Sequence, residues 1–511
     1  MEHFHTPEPC GSSRIKRRTA MQGTLKRSIS MLPRFADLIE CSRVSAEGQY
    51  ENEKAGEKMG KMRTRTESDA LGSREIPEDS LIGINTARAL ENFPLQYKKT
   101  DLSLIYAVVK IKRAAAVTYR KLGVRPEVYE NVILACDEVL AGKHDDAFPL
   151  DALQGGAGTS TNMNVNEVLA NLALRISGRQ PGDYAYIHPL DDINRGQSTN
   201  DVYPTALRIA AIEKLRLLSD ECAKLQESLQ RKENGFEEIC KLGRTEMMDA
   251  VEITLGEEFG AYAQAIARDR WRLYKIEERL RQVNIGGTAV GLSNAAERKY
   301  RFGILEELRK STGIGLAAAE YPMDITQNQD VFVEVSGLLK ALAVNLSKIA
   351  GDFRLMNSGP HGGLGEIRLR PMQQGSTIMP GKVNPVIPEM TMQASMQVMA
   401  NDSAVSMAAS RGEFELNAFL PFIAENILSS LNLMCRTVCI FREKCVDLLE
   451  ADEENCRRHL EDSAVFGVEY MKDLGYDAVS RVIREHEPEE ARQILEKMRE
   501  GRTLPDSRKK E

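Results

Sequence analysis

Between Pro204 and Pro322 the chain carries no proline. A proline inside a helix removes a hydrogen bond and clashes with the preceding turn, so an interval this long permits very long helices. The apolar spacing agrees. Ala211, Leu215, Leu218, Cys222, Leu225 and Leu229 step by fours and threes, as do Val335, Leu339, Leu342, Leu346, Ile349, Phe353 and Met356. A seam with a mean period of 3.5 residues packs at shallow angles on neighbouring helices. Several such helices predict a mainly all-α protein built on an elongated bundle. No alternation of strands and helices supports a doubly wound sheet.

Composition narrows the functional classes. Among 511 residues, Lys+Arg 68 against Asp+Glu 75 leave a formal charge of −7, which argues against a nucleic-acid partner. No apolar run approaches the ~20 residues that a bilayer span needs, so no membrane association is expected. The nine cysteines include no Cys-x-x-Cys pair and none has a histidine at ligand spacing. Cys435, Cys439 and Cys445 fall in an apolar helical pattern and read as free thiols. An odd count without a secretory signal points to a reducing compartment, and the expectation is a cytoplasmic enzyme. Residues 1–61 are too polar to form a core and are expected to be disordered. Glu2 and Glu8 suit a targeting helix poorly, which favours Met59 or Met62 as the working start.

Polar segments interrupt the helical pattern at 155–166, 188–201, 243–249 and 358–388. The first, Gln154-Gly155-Gly156-Ala157-Gly158-Thr159-Ser160-Thr161-Asn162-Met163-Asn164, is glycine-rich and then hydroxyl- and amide-rich. Ahead of a helix from about Glu167 it suits an anion, although a capped helix start reads equally well. No Gly-Lys-Ser/Thr follows, so it is not a P-loop. Gln197-Ser198-Thr199-Asn200-Asp201 offers the same groups before a long helix, and Gly243-Arg244-Thr245-Glu246 reads as another helix start. The richest segment is Gly375-Ser376-Thr377-Ile378-Met379-Pro380-Gly381-Lys382-Val383-Asn384-Pro385. Its prolines and glycines define turns, and it combines a hydroxyl beside a glycine, a lysine suited to a carboxylate, and an amide.

That last segment resembles the signature loop of the aspartase/fumarase superfamily. Gly156-Ala157-Gly158-Thr159-Ser160, Gln197 to Asp201, Gly243-Arg244-Thr245 and the loop match the superfamily in order and spacing, over about residues 62–456. The first motif, Val386-Ile387-Pro388-Glu389 and Leu71-Gly72-Ser73-Arg74-Glu75-Ile76-Pro77 resemble the aspartase branch more than class II fumarases. The resemblance implies a three-domain fold whose central long helices form a tetrameric helical core. The expected boundaries are 62–197 for the N-terminal lyase domain, 198–452 for the central bundle with the signature loop, and 453–511 for a small C-terminal domain.

It also implies a reaction: anti-elimination of ammonia from L-aspartate to give fumarate, without cofactor or bound metal. Dehydration of malate is the alternative, and a catalytically inert, crystallin-like homologue a more distant one. By motif position Ser376 is the base. Thr159, Ser198 and Thr199 hold the β-carboxylate, Lys382 and Asn384 the α-carboxylate, and Asn200 and Thr245 lie near the leaving group. His188 matches a secondary anion site, though a loop histidine before Pro189 is the plainer reading. Small-molecule substrates and a homotetramer with composite sites are the expected partners.

Three departures stand out. Glu246 replaces the usual histidine or glutamine, and in His-bearing relatives that residue pairs with a carboxylate matching Glu389. The expectation is that Glu246 faces the substrate ammonium, with a solvated glutamate at a helix N-terminus as the alternative. Gly291-Leu292-Ser293-Asn294 is a shortened turn. Gly475-Tyr476 lacks the preceding Asn-Pro, with Met471-Lys472 there instead.

Overall fold

The computed structural model describes residues 63–502; the disorder and start site expected for residues 1–61 lie outside them. The N-terminal elements are a hairpin of β1 (Thr64–Asp69) and β2 (Gly72–Pro77), then α1 (Ile84–Asn92), α2 (Leu102–Lys121), α3 (Pro126–Leu140) and α4 (Thr159–Ile176). Five long helices follow: α5 (Thr199–Gly235), α6 (Leu255–Leu280), α9 (Asp330–Met356), α10 (Val386–Ala409) and α11 (Leu420–Lys444). Between α6 and α9 lie α7 (Arg298–Thr312), which packs on α2, and the short α8 (Pro322–Gln327).

The five long helices close a ring: α5 packs on α6, α6 on α9, α9 on α10, α10 on α11, and α11 on α5. Every residue of the two predicted seams is buried. Where three helices meet, Phe259 of α6, Phe353 of α9 and Phe441 of α11 stack with centroids 5.4 and 5.6 Å apart. An all-α bundle is thus what the 3.5-residue period dictated. Strands appear only as four two-stranded ribbons among the described residues.

The start of α5 shows how local chemistry fixes an element. Ser198 and Asp201 form a reciprocal capping box, with Ser198 N–H donating to Asp201 Oδ1 at 3.0 Å. Pro204, in the second turn, leaves the Asn200 carbonyl without its helical donor. Asn284 Nδ2 donates to that carbonyl at 3.0 Å, tying the segment after α6 to the helix start. At 1.5 Å per residue, the 37 residues of α5 span roughly 55 Å.

At the far end of α5 the chain turns into a hairpin of β3 (Cys240–Thr245) and β4 (Met248–Thr254). Here the expected helix start at Gly243 is corrected. Thr245 pairs with Met248, so Glu246 and Met247 are the two turn residues, with φ of 54° and 66°. Positive φ at both central positions is the turn geometry whose twist suits a two-residue hairpin. Glu246 therefore sits at a turn tip, not in a first helical turn.

Beyond α11, α12 (Glu453–Glu461) packs on β3. The helices α13 (Gly467–Leu474), α14 (Tyr476–Glu485) and α15 (Pro488–Arg502) enclose a small core of their own around Phe466, Tyr470, Leu474, Val479, Val482, Ala491 and Leu495. No described helix is long and apolar enough to cross a membrane.

Candidate active site

The structure gathers the sequence motifs into two groups. The first surrounds the N-termini of α4 and α5. Helix α4 begins at Thr159, not near Glu167, so Thr161, Asn162 and Asn164 are buried helical residues instead of loop residues. Gly158 precedes it with φ +92°, and a Cβ there would lie 2.2 Å from the Tyr203 ring, so only glycine lets α4 start against α5. Asn162 Nδ2 donates to Thr199 Oγ1 and to Asn194 Oδ1, both at 3.1 Å. Lys112 Nζ, inside α2, donates to the same Asn194 oxygen at 2.8 Å.

A third segment joins them. Asp201, fully buried, accepts from Gly286 N–H at 3.0 Å and Thr288 N–H at 2.9 Å, and Asn200 Nδ2 donates to Ala289 O at 2.8 Å. Burial pushes the Asp201 carboxyl up to about 6, against the pull of these N–H donors and of the Lys112 charge. Burial also pushes the Lys112 ammonium down to about 7, with Asp201 opposing. Thr159, Ser198, Thr199 and Asn200 thus form a hydroxyl and amide cluster at two helix N-termini, near the buried Lys112.

His188 is nearby in sequence but has a local task. Its Nδ1 accepts from Leu190 N–H and Asp191 N–H at 3.2 Å each, capping the short turn Pro189–Ile193.

The second group lies at the other end of α5. Ser376 Oγ accepts from Met379 N–H at 2.9 Å and Ile378 N–H at 3.2 Å. The loop is closed at its base by Gly375 N–H to Lys382 O at 2.8 Å and by Asn384 Nδ2 to Gly375 O at 2.9 Å. A Cβ on Gly375 would meet Lys382 O at 2.5 Å, which explains the glycine before the serine. Lys382 is exposed. Glu389, in the first turn of α10, faces Arg354 of α9 at 3.8 Å.

Glu366 roots this end. It is completely buried, with Arg244 Nη1 2.6 Å from Oε1 and Lys241 Nζ 2.8 Å from Oε2. Lys241 also pairs with Glu258 at 2.7 Å. Burial works against the Lys241 ammonium, but Glu258 and Glu366 outweigh it and hold its pKa above the ordinary value. Glu366 therefore fastens the strand bearing Thr245 to the segment that leads into the signature loop. Sequence reasoning missed Glu366 and Lys112. The only trace of Lys112 is a lysine among Ile105, Val108, Ala115 and Tyr119 in an otherwise apolar stripe.

Within one chain the two groups lie at opposite ends of α5, roughly 50 Å apart at 1.5 Å per residue. Thr159, Ser198, Thr199 and Asn200 come together, as do Ser376, Lys382 and Asn384, and the hairpin tip with Thr245 and Glu246 is at the loop's end of the bundle. Among the described residues no group of three or more His, Cys, Asp or Glu side chains could hold a metal ion.

Residues 72–400 match the protein family described as lyase. The chain belongs to that family, the aspartase/fumarase superfamily. It is 42% identical over 422 residues to the aspartate ammonia-lyase of Bacillus sp, covering 82% of this chain and 90% of that one. Against the aspartate ammonia-lyase of Escherichia coli strain K12 it is 42% identical over 403 residues, 78% of this chain and 84% of the relative. Among solved structures, the fumarate lyase:delta crystallin of Brucella melitensis bound to cobalt superposes with a TM-score of 0.82 at 42% identity, covering 86% and 99% of the two chains. The class II fumarase of Schistosoma mansoni gives 0.81 at 31% identity over 85% and 96%.

Proposed function

We propose that this chain is an aspartate ammonia-lyase, a carbon–nitrogen lyase that eliminates ammonia from L-aspartate to give fumarate. The observation that carries the mechanism is the pair of backbone N–H groups aimed at Ser376 Oγ. A serine alkoxide is costly in water, and two fixed donors stabilise negative charge on that oxygen. The alkoxide takes the β-proton and the electron pair flows into the β-carboxylate, giving an enediolate-like intermediate. Its collapse forms the Cα–Cβ double bond and breaks the Cα–N bond. The substrate nitrogen enters as an ammonium ion, so it leaves as neutral ammonia without needing an acid.

In this reading Thr159, Ser198 and Thr199 donate to the β-carboxylate where charge develops, which is where fixed donors lower the barrier most. Lys382 and Asn384 hold the α-carboxylate, and Asn200 and Thr245 lie near the leaving group. Glu246 faces the ammonium from the hairpin tip. A single chain separates the two groups by the length of α5, so a complete site joins the Ser376 end of one copy to the Thr199 end of another. Exposed Trp271 and Tyr274 on α6, Val344 on α9 and Met396 and Met407 on α10 offer apolar faces for such packing. The assembly is a cytoplasmic homotetramer with composite sites.

The test is the ultraviolet absorbance of fumarate formed from L-aspartate, run beside L-malate, with wild type and Ser376→Ala. Signal from aspartate that Ser376→Ala abolishes is the expected result. Signal from malate alone would make the enzyme a fumarase.

A further inference from the structure

We propose that Lys112 is a positioning residue for the carboxylate pocket: as a buried donor-only group it sets the direction of the hydrogen bonds running through Asn194 and Asn162, so that Thr199 presents its hydroxyl hydrogen to the substrate. The proposal rests on the reading of Thr199 as a carboxylate ligand and adds what makes it one.

A hydroxyl can donate or accept, and an asparagine amide can be turned either way, so a chain of such groups has no inherent direction. An ammonium breaks that symmetry because it only donates. Lys112 is 1% exposed. It faces Asn194, which must therefore present its oxygen. The other end of Asn194 agrees, since its Nδ2 donates to Gln197 O at 3.2 Å. With that oxygen fixed, Asn162 must turn its NH2 toward it. The second N–H of that NH2 reaches Thr199 Oγ1. Thr199 is then an acceptor inward, and its own hydrogen is left for a group outside the network. Asn166 Nδ2 points at the same Asn194 oxygen from 3.3 Å, a third donor on one acceptor.

The arrangement has a visible cost. Asn162 Oδ1 and Asn166 Oδ1 are buried and have no hydrogen-bond partner among the described residues. Turning Asn162 over would set its oxygen against Asn194 Oδ1 and draw the Thr199 hydrogen inward, away from the substrate. Lys112 itself is buried without a direct ion pair among the described residues. Asp201 acts on it by its charge, yet the Asp201 carboxylate is occupied by the N–H groups of Ser198, Gly286 and Thr288. Cys136, the other group that acts on it, is a buried thiol whose pKa is pushed far up by burial, so it is neutral. An unpaired buried ammonium lowers stability, and a methionine of similar length in this apolar stripe would pack without that penalty. Stability alone does not account for a lysine here.

The experiment uses the full-length enzyme at pH 6, where Lys112 holds its proton and can only donate, with succinate as a non-reacting dicarboxylate probe. Its inhibition constant is measured with KM, kcat and Tm for Thr199→Val, Lys112→Met and the double variant. Thr199→Val should weaken succinate about tenfold to a hundredfold, the range for losing a hydrogen bond to a charged group. Lys112→Met should weaken it about tenfold without lowering Tm, and the double variant should be no weaker than Thr199→Val alone, because one residue acts through the other. Unchanged succinate binding in Thr199→Val would overturn the pocket reading itself. A weakened Thr199→Val beside an unchanged Lys112→Met, or two losses that multiply in the double variant, would overturn the role of Lys112. Should Lys112→Met not fold, Asn162→Ala cuts the same chain one link later: it should weaken succinate to the same degree, and unchanged binding there would equally overturn the role of Lys112.

Discussion

The two ends of α5 are built on opposite principles. At the Thr199 end Asn162, Thr199, Asp201 and Asn284 are buried, and three chain segments lock together through Asn162, Asn194, Asp201 and Asn284. At the Ser376 end the root is equally firm, in the Glu366 ion cluster, but the loop above it is not. Ile378 is 85% exposed, Met379 and Val383 are a little under half exposed, and two hydrogen bonds at the loop's base close it. A pocket that must recognise charge gains from donors fixed in advance, whereas a base that must exclude water needs a segment free to close over its substrate. The apolar side chains on the loop are what such closure would bury.

The most severe way to break this comparison is at the loop. Ser376→Ala should lower kcat by about a thousandfold, in the range for a positioned proton-transfer group, while Tm stays at the wild-type value because the side chain is on an exposed loop. Steady-state kinetics and differential scanning calorimetry check both halves. A comparable fall in Tm would mean that the loop is a structural element. The ion cluster below should behave in the reverse sense. Glu366→Gln leaves Lys241 and Arg244 short of a buried counter-charge and should destabilise the protein by about 3 kcal/mol, read as a lowered denaturation midpoint.

The buried end is sharpened by pH. Lys112 binds its proton less tightly in the folded protein, at about 7, than at its ordinary value of 10.5. Protonation therefore penalises the folded state, fully below pH 7 and progressively less as pH rises toward 10.5. Wild type should gain stability relative to Lys112→Met between pH 7 and 9.5. The difference in Tm between the two proteins, measured at both pH values, should move by a few degrees in that direction. A constant difference would mean that Lys112 keeps its charge throughout.

How much of this was legible follows from what each signal depends on. The seams from Ala211 to Leu229 and from Val335 to Met356 were plain because burial in a bundle requires that period, and every member is buried. The start of α4 was placed too late, because Thr159 to Asn166 is polar and looks like a loop; most of those side chains are buried, against other polar groups that sequence spacing does not reveal. The β3–β4 hairpin was hidden for a different reason. Arg244-Thr245-Glu246 has the residue types of a helix start, and Glu246-Met247 lacks the Asn-Gly that usually marks a tight hairpin. Lys112 and Glu366 gave no local signal, since their meaning lies in partners 82 and 122 residues away.

Glu246 tests the comparison at its finest point, because it lies at the loop's end of the bundle yet is set in place by a strained backbone. Left-handed φ at a non-glycine residue costs of order 1 kcal/mol, and such residues persist where the surrounding structure holds them. The hairpin supplies that hold through the Arg244–Glu366 pair next to it. The tip is exposed, so its carboxylate acts on a substrate ammonium through a well-screened interaction and the effect is small. Glu246→Gln keeps the shape and removes the charge. It should raise KM for L-aspartate by about threefold, leave kcat within a factor of two, and leave the succinate inhibition constant unchanged because succinate has no ammonium. Competitive inhibition measured alongside aspartate kinetics separates these outcomes. Equal losses for both ligands would place Glu246 in the support of the loop instead of in contact with the amine.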